Sequence, residues 1–241
     1  MSDASDRISE LFAVRSHDIT PAAARHAARV LYAPVSRDAE VSKRCASILS
    51  DAELQRRDRL AAECDKALFE QRRAFRRFCG ATALGSSQPL SEIVFEETEK
   101  GRPFLSGSPD LWFSFSSCQS GLLGAWSSTH AIGVDLEDQT SDLEAGELAR
   151  QFFSVPEAES VEAIGGRQCL QTFYRFWSLK EAALKSIGEG LPYGLEAFEF
   201  ELDPRLRVVQ VPPDHGGPEQ FSAYAIEGTD SCAALVIRSR A

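Results

Sequence analysis

The alternation of apolar and polar positions divides the chain into short strands and two helical regions. ARVLYAPV (Ala28–Val35) has the β-branched, period-two character of a strand and stops at Pro34. From Ser50 to Gly85 the apolar positions take helical spacing, as one broken helix or two. Ser50 and Glu53 are spaced as a capping box, in which each side chain bonds the other residue's free amide. Gly80 and Gly85 mark the stop. Four strand-like runs follow, SEIVFEET, DLWFSFSSC, GLLGAWSS and AIGVDLED, with turn residues such as Gly101, Pro103, Gly107 and Pro109 between them.

Helical spacing returns in LEAGELARQFF. Ser154 and Glu157 frame a second capping box, with Pro156 at its opening turn. A long helix is expected from about Gln168 to Ile187. GLEAFEFEL, LRVVQV, FSAYAIEG and CAALVIRS read as four closing strands. The order strand, helices, strands therefore occurs twice, which predicts an α+β chain of two similar α/β subdomains, residues 1–127 and 128–241. Residues 1–10 are polar and are expected to be disordered.

Charge changes this picture locally. The 241-residue chain carries a formal net charge of −10, which disfavours general nucleic-acid binding. Yet the segment Leu54–Arg77 holds eight basic and four acidic residues, leaving the remainder at −14. Such a run is either a solvated, salt-bridged helix face or a local anion site. Six cysteines show no metal-ligand spacing, and the opening residues lack the basic and apolar regions of a signal peptide. No apolar run approaches a membrane span. A cytoplasmic protein with reduced thiols, without membrane or nucleic-acid partners, is expected.

Two short stretches carry candidate chemistry. In AIGVDLED, Asp135 and Glu137 are two apart on a strand and so share one face, opposite Ile132, Val134 and Leu136. Two such acids need a cation, basic partners or open water. Mg²⁺ meets that need with carboxylate oxygens, water and substrate phosphate. A solvent-facing acidic edge is the plain alternative. In FYRFWSLKEAALKSIGEGL (Phe173–Leu191), Trp177, Glu181 and Lys185 follow at four-residue steps along one helix face. Alone, Glu181 and Lys185 would be an ordinary surface pair. With Asp135 and Glu137, Glu181 completes a candidate metal site, and Lys185 stands one turn on to meet a phosphate. Trp177 covers the turn before Glu181.

GVDLE followed by WSLKEAALK resembles the paired signature of the 4′-phosphopantetheinyl transferases, and more closely their surfactin-synthetase-activating class. GRPFL (Gly101–Leu105), FSFSSC (Phe113–Cys118) and RQFFSVPE (Arg150–Glu157) resemble further family segments in the right order, so the resemblance covers about residues 45–200. It implies a fold of two subdomains related by pseudo-two-fold symmetry. It also implies Mg²⁺-dependent transfer of the phosphopantetheine arm of coenzyme A to a serine of an apo acyl or peptidyl carrier protein, with release of 3′,5′-ADP. Asp135, Glu137 and Glu181 would hold the metal. Glu181 would help deprotonate the serine, and Lys185 would neutralise the departing oxygen. Lys66, Arg72, Arg102, Ser116, Ser117 and Lys180 would contact coenzyme A. An internal two-domain interface makes a monomer the expected state.

The chain departs from the family at two of these places. Ser117 stands where the family strand has histidine, and Ala67, beside Lys66, where it usually has arginine. The resemblance therefore implies weaker dependence on the 3′-phosphate of coenzyme A, unless Lys66, Arg72 or Arg73 compensates. Two other readings are a non-catalytic homologue that binds carriers or coenzyme A, and an unrelated Mg²⁺ phosphohydrolase.

Overall fold

A computed structural model of the protein describes residues 8, 11–12, 16–140, 143–229 and 231–239. Two antiparallel sheets lie at its centre. In the first, the strand order is β1 (His17–Asp18), β2 (Arg29–Pro34), β6 (Gly121–Ser127), β5 (Trp112–Ser117). In the second it is β10 (Phe221–Ala225), β11 (Cys232–Ser239), β7 (His130–Glu137). Two small hairpins flank them, β3 (Phe95–Glu97) with β4 (Pro103–Leu105), and β8 (Glu199–Glu201) with β9 (Arg207–Gln210).

The helices cover the outer faces. In the N-terminal half these are α1 (Ala39–Ala46), α2 (Asp51–Asp58) and α3 (Glu63–Leu84). In the C-terminal half they are α4 (Ala145–Phe152), α5 (Val155–Glu162) and α6 (Gly166–Ser186). The helical stretch after Ser50 is thus two helices, the first opened by the Ser50–Glu53 capping box. The segment of α1 was given no element from the sequence; Asp38 caps it by accepting the Glu40 amide. SEIVFEET forms only the three-residue β3, preceded by a single 3₁₀ turn. Most of residues 1–10 lie outside the described residues, but Ile8 is helical and fully buried in the N-terminal core, against the expectation of disorder there.

Strand periodicity sorts side chains into three apolar layers. Phe113, Leu122 and Phe75 fill the layer between the first sheet and α3. Val30, Leu123, Ile132, Val134, Leu136 and Leu235 fill the layer where the two sheets face each other. Phe153, Phe173, Phe176, Leu179 and Val236 fill the layer under α6. The odd positions of β7 therefore face α6. Gly133 is one of them: a Cβ there would stand 1.9 Å from the Ala182 carbonyl oxygen, so only glycine lets the helix lie directly across the strand. That close crossing brings Glu181 and Lys185 to Asp135.

The sheets also meet edge to edge. Ser114 Oγ accepts the Val134 amide at 3.0 Å, and Trp112 Nε1 donates to the Ile132 carbonyl at 2.7 Å. These bonds tie β5 to β7 across the join between the halves.

Candidate active site

Asp135 sits at this join, 1% exposed. Its Oδ1 accepts from Ser116 Oγ at 2.8 Å and from Lys185 Nζ at 2.6 Å. Its Oδ2 is buried and has no hydrogen-bond partner among the described residues. The sheet register explains the burial, because Asp135 is paired opposite Ala234 in the middle of the β7–β11 ladder. A solvent-facing acidic edge is thereby excluded for this residue.

Glu181 joins through Lys185, whose Nζ is 3.5 Å from its carboxylate one turn away. Ser116 Oγ is also 3.3 Å from that ammonium. Burial and the neighbouring Asp135 charge hold the Glu181 carboxyl above the ordinary range, although Lys185 pulls it back. Burial, Asp135 and Glu181 push Glu137 up to about 7, against the opposing effects of Lys185 and a hydrogen bond from Trp177. Burial disfavours the Lys185 charge, but Asp135 and Glu181 more than offset it and hold the ammonium above the usual lysine value.

Two carboxylates thus share one lysine, and a third, Glu137, feels its charge. Among the described residues, no group of three or more His, Cys, Asp or Glu side chains is arranged as a ready-made metal shell. The Lys185 ammonium lies among these acids, bonding Asp135 at 2.6 Å and approaching Glu181 at 3.5 Å. The donor set nevertheless suits a hard cation. It is all oxygen, it outnumbers its local cation, and it includes a buried unpartnered carboxylate oxygen that a divalent ion would satisfy.

Trp177 does more than pack. Its ring lies 5.6 Å from Phe173 and 6.1 Å from Phe152, and its indole is near enough to Glu137 to favour that residue's ionised form. Lys180 requires a correction. It is 0% exposed and paired with Glu157 at 2.6 Å, and it donates to the carbonyls of Leu195 at 3.1 Å and Phe198 at 2.5 Å. It points into the core because adjacent helical positions diverge by about 100°, so Glu181 on the cluster face sends Lys180 away from it.

The other proposed coenzyme A contacts divide between three places. Lys66 lines a broad recess with Arg37, Lys43, Asp58, Glu63 and Glu70, and is tied to Glu63 at 2.6 Å. Arg102 lies over the Trp112 ring, 4.1 Å from its centroid. Arg72, Ser116 and Ser117 line a smaller recess together with Arg76, which was not singled out as a site residue from the sequence. Its signal was present: Arg76 is four residues after Arg72, on the same helix face.

The 4′-phosphopantetheinyl transferase HetI of Nostoc sp. is 32% identical to this chain over 197 residues, 79% of this chain and 78% of its own length. The chain belongs to the 4′-phosphopantetheinyl transferase superfamily. The family model bearing that description matches residues 131–236, from β7 into β11 and across α6. The 4′-phosphopantetheinyl transferase Sfp of Bacillus subtilis is 31% identical over 137 residues, covering 57% of this chain and 60% of its own. The 4′-phosphopantetheinyl transferase psf-1 of Bacillus pumilus is 29% identical over 140 residues, covering 58% of each. The match therefore spans under two thirds of these two Bacillus relatives. Within this superfamily member, Asp135, Glu137, Glu181 and Lys185 all fall inside the family-matched segment, whereas Arg72 and Ser117 fall before it. Among the described residues no helix is long and apolar enough to cross a membrane.

Proposed function

We propose that the protein transfers the 4′-phosphopantetheine arm of coenzyme A to a serine of an apo acyl or peptidyl carrier protein, as a cytoplasmic Mg²⁺-dependent monomer. The supporting observation is that Lys185 pairs with Asp135 at 2.6 Å and approaches Glu181 at 3.5 Å at the β5–β7 join, with Glu137 near enough to feel all three charges. Asp135, Glu137 and Glu181 would hold the cation, which when bound neutralises diphosphate charge. The residues of the chain carry the rest. The serine oxygen attacks the phosphorus that bears the pantetheine arm, and the bond from that phosphorus to the bridging oxygen breaks. Lys185 lies where its ammonium offsets charge on the departing 3′,5′-ADP. Glu181, whose carboxyl burial and the Asp135 charge make a stronger proton acceptor than an ordinary carboxylate, would take the serine proton. Ser116 holds Asp135 and Lys185 in register through one hydroxyl.

The same reading divides the chain into residues 1–127 and 128–241, related by a pseudo-two-fold axis. Its support is that each half sets one long helix, α3 or α6, against the outer face of an antiparallel sheet. The site then lies where the halves join, so a single chain completes it. Incubation with coenzyme A, Mg²⁺ and a panel of apo carriers, followed by mass spectrometry, tests the activity. The expected result is a carrier heavier by one phosphopantetheine group. A panel that stays unmodified, with 3′,5′-ADP absent from the mixture, overturns the reading.

A further inference from the structure

The join between the halves is closed in steps. Trp112 Nε1 donates to the Ile132 carbonyl, Ser114 Oγ accepts the Val134 amide, and Ser116 Oγ donates to Asp135. The three steps fall on alternate residues of β5, so one face of that strand runs along β7. The site occupies the last step, where β5 ends at Ser117 and β7 at Glu137. The next contact across the join is made by Asp138, the residue that follows β7.

Asp138 is bound from both halves. Its Oδ2 accepts the Ser120 amide at 3.1 Å, and its Oδ1 accepts the Ser120 hydroxyl at 2.5 Å and the Ser231 hydroxyl at 2.8 Å. The two hydroxyl oxygens are themselves 2.8 Å apart. Ser120 belongs to the turn between β5 and β6, and its carbonyl accepts the Val35 amide at 2.9 Å, which ties in the end of β2. Ser231 lies in the connection from β10 to β11. One carboxylate thus gathers chain connections of both central sheets. Two residues on, the Thr140 amide donates to the Tyr174 hydroxyl at 3.2 Å. The segment leaving Glu137 is therefore held to the N-terminal half on one side and to α6, which carries Glu181 and Lys185, on the other. Asp138, Ser120 and Ser231 are all partly exposed, so the knot is not a demand of the apolar core.

We propose that Asp138 is a positioning residue for the reaction: it clasps the site end of the join, fixing Ser116 against Asp135 and Lys185 and keeping Glu137 beside them. This rests on the transferase reading above. Ser116 comes from the N-terminal half, whereas Asp135, Glu137, Glu181 and Lys185 all come from the C-terminal half. Its hydroxyl stays 2.8 Å from Asp135 and 3.3 Å from Lys185 only while the halves keep their register at that end. Such a device acts on rate more than on binding, because a displacement of about 1 Å at a reacting centre costs up to about 100-fold.

The test compares steady-state transfer in the wild type, Asp138→Ala, Asp138→Asn and Ser127→Ala. Ser127 is the matched control at the far end of β7, where its hydroxyl donates to the Ala27 carbonyl and accepts the Thr129 and His130 amides. Asp138→Ala should lower kcat by about 10- to 100-fold and leave KM for coenzyme A within about threefold. Ser127→Ala should keep kcat within about twofold. Asparagine keeps the shape and an acceptor oxygen, so Asp138→Asn should recover kcat to within about fivefold of the wild type. Equal kcat losses in Asp138→Ala and Ser127→Ala, or an Asp138→Asn enzyme as slow as Asp138→Ala, overturn the clasp. If Asp138→Ala does not fold, Ser231→Ala, which removes one hydroxyl, should still lower kcat by about 3- to 10-fold. An unchanged kcat in Ser231→Ala overturns the clasp as well. Amide hydrogen exchange read by mass spectrometry separates the two claims. Asp138→Ala should speed exchange at residues 118–121 and 138–140 and leave residues 127–131 unchanged. If no carrier is modified by the wild type but exchange changes in this pattern, the clasp holds and the transferase reading fails. If carriers are modified, and Asp138→Ala keeps the wild-type kcat and exchange, the clasp fails and the transferase reading holds.

Discussion

Glu157 and Lys180 meet inside the C-terminal core, 2.6 Å apart and 1% and 0% exposed. Asp135, Glu137, Glu181 and Lys185 meet at the join between the sheets, with Lys185 27% exposed. Adjacent residues of one helix, Lys180 and Glu181, feed the two clusters. In the first, charge balances one to one. Lys180 also donates to two carbonyls, and Glu157 also accepts the Phe200 and Ser154 amides, each at 2.9 Å. In the second, three carboxylates surround one ammonium, Asp135 Oδ2 has no partner among the described residues and Glu137 is pushed up to about 7. A saturated cluster has nothing left to offer a ligand and serves the fold. An unsaturated one carries electrostatic cost that a ligand relieves, which is the usual mark of a working site.

The sharpest way to break this contrast is to truncate one member of each cluster. Asp135→Ala or Glu181→Ala should lower phosphopantetheine transfer by on the order of 10³-fold or more while the chain stays folded, since several kcal/mol of charge compensation are removed from the reacting diphosphate. Carrier modification followed by mass spectrometry, with circular dichroism as the check on folding, measures both sides. Near-wild-type transfer by well-folded Asp135→Ala would end the assignment of this cluster.

The saturated cluster should respond in the opposite sense. Glu157→Ala strands a buried ammonium and two amides, which costs about 3–5 kcal/mol of stability. Urea unfolding at low temperature should show that loss. The fraction that remains folded should transfer at within a few-fold of the wild-type rate. A Glu157→Ala protein of normal stability but abolished activity would instead place Lys180 in the chemistry.

A third measurement uses pH to separate the clusters. Glu137 and Glu181 hold protons in the folded state that they release when unfolded, because their folded values are raised. Stability from this source is present below about pH 4.5 and is lost as pH rises toward about 7. A bound divalent cation reverses that loss. Added Mg²⁺ should therefore raise Tm more at about pH 8 than at about pH 6. Equal shifts at both values, or none, would separate the cation from this cluster.

How much of this was legible in the sequence follows the range of the interactions. The Asp135–Glu137 face, the Glu181–Lys185 spacing and both capping motifs are local, set by strand or helix period, and could be read directly. The role of Lys180 could not. Its partner Glu157 is 23 positions away on another helix, and only packing decides which of two adjacent residues turns inward. Gly133 likewise looks like any strand glycine until Ala182 is seen against it. Arg76 was counted among the basic residues, but its partner Phe115 belongs to a strand 39 positions on. The short β3 and α1 mark the other limit, since three-residue strands and eight-residue helices give too few periods to detect.

The finest probe of the contrast is Trp177, which touches both kinds of environment. Its ring packs among Phe152, Phe153 and Phe173, as the saturated core requires, and its indole favours the ionised form of Glu137 in the unsaturated cluster. Trp177→Phe keeps most of the ring and removes the indole N–H. If the packing and the polar contact are separable, stability should fall by about 1–2 kcal/mol, as for the loss of a few packed carbon atoms. Transfer should fall by about 10-fold, the lower end for a hydrogen bond to a charged group. Glu137, freed of a bond that favours its ionised form, should titrate higher, moving the acidic limb of the kcat/KM profile toward alkaline pH. The conservative variant thus gives a readout that packing alone would not move. A Trp177→Phe enzyme that loses stability but keeps the wild-type pH profile would assign the tryptophan wholly to the core.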